Sequence, residues 1–170
     1  MRLTGWSLTT PNLLDFVSIL PPIGSPPLVS FRSYLWELYI NLQFATSSAN
    51  YTDIYLTSDS ANLQSTTHSG YFVRIGNTTD EISLYKRTSG TNLEIIDGLD
   101  GQTNLSNNLI KLKVTRDASN LWTLQRDLTG TGSSYYTEGS VTDAAISTSS
   151  FFGIFIQQST ATFHLRHFYD

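Results

Sequence analysis

The chain has 170 residues, a net charge of −4, 14% charged residues and no cysteine. At that length it can bury roughly 70% of its unfolded surface without a disulfide or metal staple. Its ten basic residues are scattered along the chain, against a nucleic-acid groove that needs several phosphate contacts, and no apolar run approaches the ~18 residues of a membrane span.

All five prolines (Pro11, Pro21, Pro22, Pro26, Pro27) lie in the first 33 residues, a density central strands do not tolerate. This segment is expected to lie along an edge of the fold or to be partly mobile. No signal-peptide apolar core follows Met1-Arg2, because Ser7, Thr9, Thr10, Pro11 and Asn12 interrupt it, so either an export signal was removed or the start lies inside a longer protein.

From Tyr34 onward the apolar residues take a two-residue period. Trp36, Leu38, Ile40, Leu42 and Phe44 alternate with Leu35, Glu37, Tyr39, Asn41 and Gln43, which predicts a long strand with one apolar face, Trp36 inside. Ile54 and Leu56 mark a shorter strand. In Gly70 to Gly90, Tyr71, Val73 and Ile75 fall on one face and Phe72 and Arg74 on the other; Ile82 and Leu84 oppose Ser83 and Tyr85, and Asn77-Thr78-Thr79-Asp80 reverses the chain between the two runs. Leu93 to Asp97 is a short strand ending in the turn Gly98 to Gly101. Ile110, Leu112 and Val114 alternate with Lys111 and Lys113; Arg116 to Asn120 is a hairpin loop with Asn120 left-handed, and Leu121 to Arg126 returns. Tyr135 to Thr142 is a further strand, and Phe151 to Gln157 with Ala161 to Tyr169 is expected to close the chain as a last pair. These are about nine strands with no helix of ten residues at 3.6 spacing, the pattern of an all-β antiparallel β-sandwich or jelly roll in a single domain over 34–170.

Several segments in the same order, GYFVRIG (70–76), DEISLYKRTSG (80–90), IIDG (95–98), IKLKVTRDASNLWTLQRD (110–127), EGSVTD (138–143) and SSFFGIF (149–155), resemble the concanavalin A-like, laminin G-like jelly-roll modules of secreted multidomain bacterial surface proteins. The resemblance covers roughly residues 34–170, and the TRD-turn-WTL piece is its most specific part. It implies two antiparallel sheets packed face to face, a secreted or cell-surface location, and calcium at a sheet edge in some relatives.

Glycosidases of such folds place two carboxylates on alternate positions of one strand, and no such pair stands in this sequence. The expected function is therefore non-catalytic recognition or adhesion, with a glycan or another surface protein as partner. The alternatives are a glycan-active hydrolase or lyase on the same fold and a purely structural fibre or filament domain. Rings and polar groups for a sugar face are sought among Tyr39, Tyr85, Trp122, Arg74 and Arg126. Trp122 reads equally well as core or surface. Asp97 and Asp100 are the calcium candidates, although Asp-Gly steps are also ordinary turn chemistry, the preferred reading. His164 and His167, three apart, would face opposite sides of a strand and do not suggest zinc. Oligomeric state is not written in the sequence.

Overall fold

A computed structural model describes residues 33–159. The expectations for residues 1–32 and for a strand over 161–169 lie outside the described residues. Among the described residues nine strands follow one another without a helix: β1 (Tyr34–Leu42), β2 (Tyr51–Ser58), β3 (Gly70–Ile75), β4 (Ile82–Thr88), β5 (Thr91–Ile96), β6 (Asn108–Arg116), β7 (Leu121–Asp127), β8 (Tyr136–Thr142) and β9 (Phe151–Gln157). They form two antiparallel sheets, in the orders β1-β6-β7-β8 and β5-β4-β3-β2-β9, packed as a sandwich.

Alternation decides which side chains meet between the sheets. On β6 buried and half-buried residues alternate from Asn108 to Arg116 without a break. Ile110, Leu112 and Val114 face the core, and Lys111 and Lys113 point to the other side. β1 contributes Leu38, Ile40 and Leu42, β3 contributes Tyr71, Val73 and Ile75, and β4 contributes Ile82 and Leu84 to the same buried cluster. At about 1.5–3 kcal/mol for each fully buried large apolar side chain, this layer is the main stabilising feature.

The turns follow the sequence chemistry. Asn77 and Asp80 take positive φ (129° and 54°) in the β3–β4 reversal, and Asn120 (φ 61°) takes the left-handed position of the β6–β7 hairpin. β9 pairs with β2, from Tyr51↔Gln157 to Ser58↔Phe151. The connection 143–150 therefore crosses from the four-stranded sheet to β9, at the end of the five-stranded order among the described residues. It is tied down at both ends, by Asp143 N donating to Asn120 O (3.1 Å) and Ser150 N donating to Ser58 O (2.9 Å).

Candidate functional site

Two aromatic clusters, each with an arginine against it, dominate the chemistry of the described residues. The first lies on the outer face of the five-stranded sheet. There Tyr55, Phe72 and Tyr85 are register partners on β2, β3 and β4, so their rings stack across the strands with centroids 4.7 and 5.2 Å apart. The Arg74 guanidinium sits 5.3 Å from the Tyr85 ring and 4.2 Å from that of Tyr51. Its Nε and Nη2 donate to the two oxygens of Asp53 at 2.7 and 2.8 Å, a bidentate pair. Burial pushes the Asp53 carboxyl above its ordinary range while Arg74 pulls against it.

This first face is closed. Phe72 is 0% exposed, and Leu63 and His68 from the 59–69 loop lie against the stack. His68 is held by a hydrogen bond between its Nδ1 and Ser65 O (2.8 Å). Tyr85 and Arg74 are thus brought together, but in a packed and charge-neutral arrangement.

The second cluster begins between the sheets and reaches the surface. Trp122, fully buried, stacks on Trp36 (centroids 5.7 Å apart, interplanar angle 10°) and meets Tyr71 at 4.4 Å; Trp36 in turn stacks on Tyr34 at 5.8 Å. Burial grades along this ladder, from Trp122 through half-buried Trp36 to Tyr34, which is 44% exposed. The gradient follows from sheet order. Trp122 is on β7, flanked on both sides, whereas β1 has β6 as its one neighbour among the described residues.

Trp122 is therefore not a surface ring, a correction to its candidacy as a ligand contact. Its indole Nε1 donates to Asp143 O at 3.0 Å, the partner a buried indole N–H requires. The Asp143 side chain accepts from Lys86 Nζ and from the Tyr71 hydroxyl, and Tyr71 Oη accepts from Ile146 N at 3.2 Å. Burial alone would raise the Asp143 carboxyl, but the hydrogen bonds from Lys86, Tyr71 and the Ala145 amide carry it below its ordinary 3.8. Burial and the contact with Asp143 push the Tyr71 hydroxyl up to about 12, so it remains a proton donor at neutral pH.

A cleft of about 410 Å³ opens beside the outer part of the ladder. Tyr34 and Trp36 form one wall, Leu56 and Thr57 of β2 another, and residues 146–149 of the crossing connection bring three consecutive hydroxyls, Ser147, Thr148 and Ser149. Arg116, at the end of β6, closes the inner side, with its guanidinium 4.9 Å from the Trp122 ring and 5.6 Å from that of Tyr71. Apolar rings beside hydroxyls and a cation can receive a sugar, whose C–H face stacks and whose hydroxyls need fixed polar partners. No carboxylate lines the cleft among the described residues.

The remaining sequence candidates are dispersed. Tyr39 is half-buried on the outer face of the four-stranded sheet, opposite Lys111. Arg126 faces inward at the other end of β7, hydrogen-bonded to Glu138 and lying over the Tyr136 ring at 4.7 Å. Tyr34 and Trp36 carry the cleft. Trp36 reads as core from its period, and edge position in a sheet has no signature in the alternation itself.

Asp97 and Asp100 do come together, with a third acid that linear spacing does not suggest. Carboxylate oxygens of Glu81, Asp97 and Asp100 lie within 4.8 Å of one another. The loop is drawn onto β4 and the β3–β4 turn by its backbone amides: Gly98 N donates to the Ser83 side-chain Oγ (2.9 Å), and Gly101 N to Thr79 O (2.8 Å). Position 98 must be glycine, because a Cβ there would stand 2.1 Å from Ile82 O. Glu81 is buried, and burial, with Glu94 beside it, raises its carboxyl above its ordinary value. Clustered hard oxygens of this kind suit calcium chemically.

Fold and site together define an all-β two-sheet sandwich with a ring-lined cleft at the Tyr34 end of β1. Compared with known protein families, with curated proteins and with solved structures, the chain finds no match.

Proposed function

We propose that the protein is a non-catalytic recognition module, secreted or displayed at a cell surface, that binds a saccharide in the Tyr34–Trp36 cleft. The observation that carries this reading is the graded ring ladder: an exposed tyrosine supported by a half-buried tryptophan, on the wall of a cleft of ligand size that Ser147 and Thr148 also line. Rigid, pre-stacked rings lose little conformational entropy on binding. Among the described residues, three carboxylates converge at the Glu81–Asp97–Asp100 turn and none lines the cleft, which favours binding over hydrolysis or elimination there. The two-sheet sandwich is compatible with a concanavalin A-like or laminin G-like module, and that finer assignment belongs to this proposal.

A glycan array probed with wild type, Tyr34→Ala and Trp36→Ala tests the reading. Binding that is lost in both variants supports it; binding that both variants retain removes the cleft as the site. A second part of the proposal places calcium at Glu81, Asp97 and Asp100, on the strength of their convergence. Calcium chloride should raise the melting temperature, and Asp97→Asn should abolish the rise. A melting temperature indifferent to both calcium and chelator removes the ion.

A further inference from the structure

Buried charges in proteins are paired, because desolvating an ion without a counter-charge is costly. Arg116 departs from that rule. It is 8% exposed, yet the three ion pairs among the described residues take Arg74, Lys86 and Arg126 and leave Arg116 without a carboxylate. The neighbouring acids are otherwise engaged: Asp143 accepts from Lys86 and Tyr71, and Asp117 accepts from the amides of Ser119 and Leu121.

The Arg116 fork is only partly used. Nη2 donates to Asn120 Oδ1 at 2.7 Å and to Ile146 O at 3.2 Å, both neutral oxygens, while Nε and Nη1 have no hydrogen-bond acceptor among the described residues. The Trp122 and Tyr71 rings attract the cation but do not neutralise it. Those two bonds and two rings also fix the guanidinium in orientation, on the wall of the cleft. A fixed, planar donor pair that opens on the cleft with no counter-charge among the described residues is a preorganised carboxylate receptor.

We infer that the cleft takes an acidic saccharide, a sugar unit whose carboxylate pairs with Arg116 while its ring lies on Tyr34 and Trp36. This rests on the saccharide reading above and adds the ligand's charge. The carboxylate would accept from Nε and Nη1, the neighbouring hydroxyls of Ser147 and Thr148 are placed to meet ring hydroxyls, and no proton transfer or covalent step is required.

The test is an array of oligosaccharides terminating in uronic or sialic acid, each printed beside its own carboxyl methyl ester, with neutral and sulfated glycans alongside. Wild type should bind at least one free acid about tenfold or more above its ester, the scale of a charge-assisted pair. Arg116→Lys and Arg116→Gln, checked for native circular dichroism, should lose that preference. Equal binding of acid and ester overturns the inference and leaves the saccharide reading intact, as does an acid preference that survives both Arg116 variants. Preference for sulfated over carboxylated glycans likewise overturns it. Silence across the whole array overturns the saccharide reading and the inference with it.

Discussion

The two arginine-bearing aromatic clusters use the same residue types and end in opposite states. On the outer face of the five-stranded sheet, Arg74 lies against Tyr51 and Tyr85 with both oxygens of Asp53 in its fork, and the 59–69 loop packs over the rings. Between the sheets, Arg116 lies against Trp122 and Tyr71, bonds only neutral oxygens, and borders open space. The pattern of rings and cation is therefore not itself the sign of a site. What separates the two clusters is the counter-charge: Asp53 supplies one to Arg74, and among the described residues no carboxylate supplies one to Arg116.

The largest effect expected from breaking this comparison is Trp122→Ala. It removes the fully buried rung shared by both sheets and should cost about 3–5 kcal/mol in chemical denaturation. A loss below 1 kcal/mol would mean that the ladder does not extend into the core. Next comes Asp53→Ala, which leaves Arg74 desolvated and alone; about 3 kcal/mol is expected, the low end for breaking a buried pair. Arg116→Met should change stability by less than about 1 kcal/mol, because losing two hydrogen bonds is offset by relieving an uncompensated charge. Equal costs for Asp53→Ala and Arg116→Met would erase the distinction between the clusters.

A smaller effect follows from pH. The folded Asp143 carboxyl lies below its ordinary 3.8, so its contribution is complete above that value and is lost as pH falls through the folded value. Wild type should therefore show an acid limb in its pH–stability profile that is shallower in Asp143→Asn. Identical limbs would detach Asp143 from the cluster. Smallest of all, Tyr34→Ala should leave stability within about 0.5 kcal/mol, as an exposed position does, while removing binding.

Much of this architecture is legible in the sequence, because a sheet buried on one face imposes a period of two. Leu38, Ile40 and Leu42, or Ile110, Leu112 and Val114, announce their side without any knowledge of neighbours. Register and strand order carry no comparable mark. The Tyr55–Phe72–Tyr85 stack exists because three strands align those positions, and Glu81 meets Asp97 and Asp100 because a loop folds back on a turn. The same limit explains the two tryptophans. Alternation places Trp36 on an inner face and leaves Trp122 even between core and surface; strand order reverses the weighting, with Trp122 buried on β7 and Trp36 half open on β1, the end of its sheet among the described residues. The pairing of β9 with β2 is likewise a matter of topology, with nothing local to signal it.

The stacking of Trp36 on Trp122 has an optical consequence. Two indoles held 5.7 Å apart and within 10° of parallel are close enough to couple their strong far-ultraviolet transitions, so the circular dichroism of the folded protein should carry an exciton feature that neither ring produces alone. One partner of that couple is sealed and the other borders the cleft, so a molecule settling on Trp36 would detune the pair. The pair would thus report on whatever settles there, readable without an added dye or tag.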